Sequence, residues 1–170
     1  MNSKKNLVLL GMMGAGKSSI GILVSKKLNL NFIDMDKLIE DEEGMKISTI
    51  FEKKGENYFR NLEEKITLKI LKNAIGIISL GGGSFINHKI RKEILTHHLS
   101  FWLDWDSEIL LKRIKKSKKR PLAVNSTDSE IVLLMKKRSK IYSKAKFKID
   151  CNKLTKNEIV KKIIKINELN

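Results

Sequence analysis

The sequence predicts an α/β domain in which five parallel strands form a central sheet flanked by helices on both sides, and three observations predict it. Gly11-Met12-Met13-Gly14-Ala15-Gly16-Lys17-Ser18 fits the phosphate-loop pattern G-x-x-x-x-G-K-[ST] and follows the apolar run Leu7-Val8-Leu9-Leu10. Apolar runs of strand length then alternate with stretches of helical period. One of those runs, Ile75 to Leu80, suits a parallel strand covered on both faces, and it stops at Gly81-Gly82-Gly83.

Each element has its own local signal. Asn6 to Leu10 reads as a strand, and Lys17 to Leu28 as a helix with Ile20, Leu23, Val24 and Leu28 on one face. Phe32 to Asp34 reads as a second strand. Helices follow over 37–43, ended by Gly44, over 48–54, ended by Gly55, and over 56–72, with Phe59, Leu62, Ile66 and Ile70 in register. After the strand Ile75 to Leu80 come a helix over 88–95, a strand Leu99 to Leu103 and a helix over 107–114. Residues 115–126 are polar and basic, contain the only proline, Pro121, and show no apolar period, so a mobile segment is expected there. Thr127-Asp128-Ser129-Glu130 has capping-box form and opens a helix to about Ala145; Phe147 to Asp150 is a last strand, and Thr155-Lys156-Asn157-Glu158 caps a C-terminal helix. With no repeats and no linker-like tract, a single domain over 1–170 is expected, its ligand site at the carboxyl ends of the strands.

Composition narrows the function classes. At 41% hydrophobic and 32% charged residues the chain reads as globular, and its short N-terminal apolar run lacks the form of a signal peptide or a spanning helix. A cytoplasmic protein with no membrane partner is expected, and one cysteine, Cys151, agrees with a reducing compartment. The net charge of +16 is also the footprint of a nucleic-acid binder. Its distribution argues otherwise: five of the 35 basic residues are arginine, the lysines are scattered over every helix, and aromatic residues for stacking on bases make up 6%. A basic surface favours anionic small substrates by steering.

The phosphate loop implies a bound nucleoside triphosphate. Its glycines let successive N–H groups face the phosphates, Lys17 reaches the terminal phosphates, and the Ser18 hydroxyl suits Mg²⁺. The acceptor must be held by other residues at the strand ends. Asp34 and Asp36 can point into one cleft, one toward Mg²⁺ and one toward an acceptor hydroxyl, although an Asp here can equally cap the next helix. Three successive glycines, Gly81 to Gly83, suit close approach of backbone to a ligand. Arg60, Arg113, Arg120 and Arg138 stand out against the lysine background, because a guanidinium binds carboxylate or phosphate bidentately; a surface pair of Arg60 with Glu64 and a solvated face for Arg138 are the plain alternatives.

Assembled, these residues make the chain resemble shikimate kinase, a member of the nucleoside-monophosphate-kinase-like P-loop kinases. The resemblance rests on the phosphate loop, Phe32-Ile33-Asp34-Met35-Asp36, Phe59-Arg60 with Glu63, Gly81-Gly82-Gly83, Arg120-Pro121, and Arg138 with Tyr142, in one order over nearly the whole chain. It implies phosphorylation of the shikimate 3-hydroxyl by MgATP on the route to chorismate and the aromatic amino acids, by an enzyme expected to be a monomer with no nucleic-acid partner. It further implies that Gly14, Ala15, Gly16, Lys17, Ser18 and Ser19 hold the ATP phosphates, with Lys17 stabilising the transferred group. Ser18 would ligate Mg²⁺, and Asp34 would act on it mainly through water. Asp36 would hold and orient the attacking hydroxyl. Arg60, the Gly81, Gly82 and Gly83 backbone, and Arg138 would bind the rest of shikimate, the two arginines meeting its carboxylate. Arg120 would reach the phosphates from a lid over 115–126, and Arg113 and the Asn152 to Thr155 loop would flank adenine. Glu63, one turn after Arg60, would orient that guanidinium.

Some positions stay open at this level. Ser19 stands where such loops often have Thr. Phe101-Trp102-Leu103-Asp104 resembles a second Mg²⁺-binding strand, with Asp104 the rival of Asp34, which is preferred because Asp36 stands beside it. Asn152-Lys153-Leu154-Thr155 lacks the Asp of a guanine-reading motif, so GTP is not favoured. His88, His97 and His98 have no metal-ligand spacing and are expected at the surface. A kinase for gluconate or a nucleotide, and a nucleic-acid-dependent ATPase, are the competing functions.

Overall fold

The computed structural model describes residues 5–116 and 126–170. Five strands pair in one parallel sheet: β1 (Leu7–Leu10), β2 (Asn31–Asp34), β3 (Gly76–Ser79), β4 (Leu99–Asp104) and β5 (Phe147–Asp150), in the order β2-β3-β1-β4-β5. Every residue of β1 and β3 is buried, whereas the edge strand β2 has none buried. That gradient is what a central parallel strand and an edge strand require. The register sets Leu9 opposite Ser79 and Leu10 opposite Trp102, so the carboxyl ends of β1, β3 and β4 emerge side by side.

The connections are helical: α1 (Lys17–Leu28), α2 (Met35–Glu43), α3 (Ile47–Asn73), α4 (His88–His97), α5 (Ser107–Lys116), α6 (Asp128–Tyr142) and α7 (Lys156–Glu168). Helix α1 starts where the phosphate loop ends; Gly14 and Gly16 hold φ of 79° and 86°, in the left-handed region that a side chain resists. It packs on β2, β3 and α7, while α4 packs on β4 and α3. Thr127 and Thr155 make the reciprocal capping boxes read from the sequence, with Glu130 and Glu158 returning the bond.

Several boundaries differ from the sequence reading, the following three among them. The segments over 48–54 and 56–72 join as α3, broken at Gly55, which takes φ 82° and ψ 168°. Helix α5 continues to Lys116, where Lys115 pairs with Asp128 at 2.7 Å, so the first two residues of the expected mobile segment are helical. Residues 117–125, including Arg120 and Pro121, lie outside the described residues. Helix α6 ends at Tyr142 rather than near Ala145. His98 is also not a surface residue: it is 6% exposed, and its Nδ1 accepts the Asn6 N–H at 3.3 Å, whereas His88 and His97 are exposed as expected.

Candidate active site

The site forms where the loop after β1, the start of α2, the glycine run after β3 and the middle of α3 meet at the strand ends. Lys17, in the first turn of α1 and 8% exposed, donates from Nζ to the carbonyls of Gly11 at 2.9 Å and Met12 at 3.0 Å. Its ammonium is thereby held across the mouth of the loop, where a phosphate would sit. The exposed Ser18 hydroxyl donates to Asp34 Oδ2 at 2.5 Å. That pair joins the last residue of β2 to the phosphate loop and places two oxygen donors suited to a hard cation side by side.

Asp34, not Asp36, caps α2: Oδ1 of Asp34 accepts the Lys37 N–H at 3.4 Å. Asp36 is thus not used as the helix cap, and its carboxylate turns toward the glycine run. A Cβ at Gly81 would lie 2.6 Å from Asp36 Oδ1, 2.9 Å from Glu63 Oε1 and 3.0 Å from Ser84 Oγ. A Cβ at Gly83 would lie 2.6 Å from Arg60 Nη1, and one at Gly82 3.4 Å from Arg138 Nη1. Protein side chains also crowd the glycine run, whose bare backbone the sequence alone ascribes to the close approach of a ligand. The result is two carboxylates, of Asp36 and Glu63, and two guanidiniums around one stretch of bare backbone, beside the phosphate loop: a Cβ at Gly82 would also lie 3.6 Å from Met13 N.

Glu63 organises this pocket from below. It is 2% exposed and accepts from Arg60 Nη1 at 2.7 Å and from the Ser84 hydroxyl at 2.6 Å. The partner of Arg60 is therefore Glu63, with Glu56 at 3.3 Å on Nε, while Glu64 is taken by Asn87 and Lys89. On the other side, Arg138 Nη1 points at Met12 Sδ at 3.7 Å, and the Tyr142 hydroxyl donates to the Gly82 carbonyl. Burial pushes the Tyr142 pKa up to about 12, so this hydroxyl keeps its proton, and its hydrogen bond, at neutral pH. Ser84 and Glu63 form a contact no sequence spacing announces, since they lie on separate elements.

The residues expected to flank a nucleotide are also held in place. Arg113 Nη1 donates to the Gly14 carbonyl at 3.4 Å, and its guanidinium carbon lies 3.8 Å from the Trp105 ring centroid. Asn152, in the loop after β5, accepts the Asp106 N–H at 2.7 Å. Asp104, the rival metal ligand, is paired with Lys148 at 2.8 Å, whereas Asp34 already touches Ser18. Among the described residues no cluster of three or more His, Cys, Asp or Glu side chains could hold a metal alone. A Mg²⁺ that completes its shell with phosphate and water needs only the Ser18–Asp34 kind of donor set. Arg120 lies outside the described residues.

The family model described as shikimate kinase matches residues 13–168. The shikimate kinase of Thermodesulfovibrio yellowstonii is 40% identical over 162 residues, 95% of this chain and 94% of its own. Among solved structures, shikimate kinase from Acinetobacter baumannii in complex with shikimate superposes with a TM-score of 0.91 at 28% identity, covering 99% of this chain and 95% of that one. The shikimate kinase of Aquifex aeolicus gives 0.84 at 38% identity, covering 96% of each. The matched span holds Lys17, the glycine run and both arginines that meet it, and the chain belongs to the shikimate kinase family.

Proposed function

We propose that this protein transfers the terminal phosphoryl group of ATP to the 3-hydroxyl of shikimate, yielding shikimate 3-phosphate and ADP, a step toward chorismate and the aromatic amino acids. The observation that carries the reading is the junction at Gly82. A Cβ there would lie 3.4 Å from Arg138 Nη1 and 3.6 Å from Met13 N, so the glycine run lined by Asp36, Arg60 and Arg138, with Glu63 holding Arg60, abuts the phosphate loop. Shikimate is an anionic polyol; Arg60 and Arg138 suit its carboxylate, and Asp36 suits its hydroxyls.

In this reading Asp36 accepts the hydrogen bond of the attacking hydroxyl and directs its lone pair at phosphorus as the new P–O bond forms and the bond to the ADP oxygen breaks. Lys17 and the N–H groups of residues 14–19 neutralise the charge spread over the transferred group. Mg²⁺, for which Ser18 and Asp34 provide the oxygen donors, supplies further positive charge at the phosphates when bound. Arg113 and the loop containing Asn152 flank the adenine. The part assigned to Arg120 rests on its place in the sequence pattern.

We further propose a cytoplasmic monomer, folded as one domain over 1–170, with no nucleic-acid or membrane partner. The scattered lysines support that choice, and no helix among the described residues is long and apolar enough to cross a membrane. The test is a coupled ADP-release assay with MgATP and shikimate, against gluconate, nucleoside monophosphates and single-stranded DNA. Turnover is expected to require shikimate. ADP release indifferent to shikimate and stimulated by DNA would overturn the reading in favour of a nucleic-acid-dependent ATPase.

A further inference from the structure

Trp105 follows the last residue of β4 and precedes α5, so it lies on the short path from the sheet to the helix that carries Arg113. Its indole N–H donates to the carbonyl of Ala15 at 3.0 Å. That bond makes the ring part of the phosphate loop's own scaffold. Arg113 lies with its guanidinium carbon 3.8 Å from the centroid of the same ring, and its Nη1 returns to the Gly14 carbonyl at 3.4 Å. Loop, indole and guanidinium thus close a triangle of three contacts.

The physical content lies in the order of these contacts. A guanidinium at this distance is stacked on the ring and drawn to its negative face. Arginine is rotamer-rich, and fixing it only when a ligand arrives would cost entropy at that moment. Here the ordering is done before the ligand comes, since the indole is itself fixed to the loop. A planar cation covered on one face still has its second face to offer, and purine bases stack on such planes.

We infer that Trp105 is a positioning residue for the nucleotide: its indole holds Arg113 flat so that a purine base stacks on a tier of guanidinium on indole beside the phosphate loop. This rests on the reading above in which Arg113 flanks the base. The determinant is specific to the base half of the donor. The triphosphate is held separately by the loop N–H groups and Lys17.

The test is calorimetric binding of ADP, with inorganic tripolyphosphate as the base-free probe, to the intact protein and to W105L, W105F, R113A and W105L/R113A. Leucine keeps apolar bulk without a π face, and phenylalanine keeps the face without the N–H. W105L is expected to bind ADP about five- to tenfold more weakly, the size of a stacked cation–π contact, with tripolyphosphate affinity little changed. In turnover it should raise KM for ATP more than it lowers kcat. W105F should recover most of the loss, and W105L/R113A should be no weaker than R113A, because both changes remove one unit. If R113A is weakened while W105L binds ADP as the parent does, the positioning role is overturned and the adenine assignment stands. If R113A itself binds ADP normally, the assignment of Arg113 to the base fails and the inference with it. Equal losses for ADP and tripolyphosphate, or W105F as weak as W105L, would overturn the stacking role in favour of bracing the loop through the N–H.

Discussion

Arg60 and Arg138 reach neighbouring glycines but are anchored differently, and this separates two kinds of damage. Arg60 is paired with Glu63, which is buried to 2% exposure and otherwise accepts from Ser84. Arg138 makes no ion pair among the described residues; its guanidinium meets the Met12 sulfur at 3.7 Å and the Tyr142 hydroxyl. Truncating either to alanine should raise KM for shikimate by a factor of about 10 to 100, the value of a charge-assisted contact to a carboxylate. Arg60→Ala should also cost about 1–3 kcal/mol of stability by leaving a buried carboxylate short of a partner. Thermal melting then separates them: a drop of about 2–10 °C for Arg60→Ala, and a much smaller one for Arg138→Ala. A shikimate KM unmoved by Arg60→Ala would refute the acceptor assignment. Lys17→Ala should reduce kcat by about 100-fold or more with the fold intact by circular dichroism, as the role proposed for its charge at the transferred group requires. Residue type and spacing pointed to Asp36, Arg60, Arg138 and the glycine run, and the structure brings these together. The pairing of Arg60 with Glu63, one turn on, was expected and is found; what had no local signal were the bonds between residues distant in sequence, Ser84 on Glu63 and Asn87 and Lys89 on Glu64.

At the scale of an element, α3 shows what one glycine does. Phe51 and Phe59 are eight residues apart, which in a straight helix means a separation of about 12 Å along the axis. Their ring centroids are 4.7 Å apart, because the helix breaks at Gly55. The Arg60 guanidinium carbon stands 5.9 Å from one ring centroid and 5.1 Å from the other. The break therefore builds the wall on which Arg60 rests. A Cβ at Gly55 would meet nothing within 4 Å, so the penalty in Gly55→Ala is one of backbone conformation alone. It should amount to about 1–3 kcal/mol in denaturant unfolding, with a rise in shikimate KM as Arg60 loses its wall. A variant as stable as the parent would show that the break is incidental. The sequence signalled this break, since glycine punctuates helical patterns. That the chain resumes as helix at once, folding two rings together, depends on tertiary packing and has no local signal. Capping boxes, by contrast, were legible at Thr127 and Thr155, because donor and acceptor there lie within one turn.

Across the whole molecule, the amino ends of the central strands, opposite the site, are tied by one buried polar node. Asn6 donates from Nδ2 to the Leu71 carbonyl at 3.2 Å, accepts the Gly76 N–H on Oδ1 at 2.8 Å, and gives its own N–H to His98 Nδ1 at 3.3 Å. The starts of β1, β3 and β4 and the end of α3 are joined there. Burial pushes the His98 pKa down, with His97 and Lys146 adding to it and Glu93 opposing. The native state therefore resists a proton that the unfolded chain accepts. The stability this represents is full above the ordinary histidine value of about 6.5 and is lost as pH falls below it toward the lowered native value. Melting temperature should fall between about pH 7 and pH 5, and His98→Asn, which keeps an acceptor but does not titrate there, should flatten that fall. An unchanged slope in the variant would place the effect elsewhere. Strand count and helix order were legible in the chain, because apolar runs are local. The strand order β2-β3-β1-β4-β5 was not, and neither was the burial of a histidine that belongs to a node among four elements.

That strand order has one more consequence. The phosphate loop and the glycine run hang from β1 and β3, which are hydrogen-bonded neighbours, with the Leu80 N–H donated to the Leu9 carbonyl at 3.0 Å just where the two loops depart. Adjacent strands lie about 4.8 Å apart in any sheet, so the gap between the two half-sites is set by the ladder itself. A tethered molecule bearing a carboxylated polyol at one end and a polyphosphate at the other would thus face a fixed span. A short, stiff linker matched to it should retain most of the effective-concentration gain, and each added flexible bond should erode it.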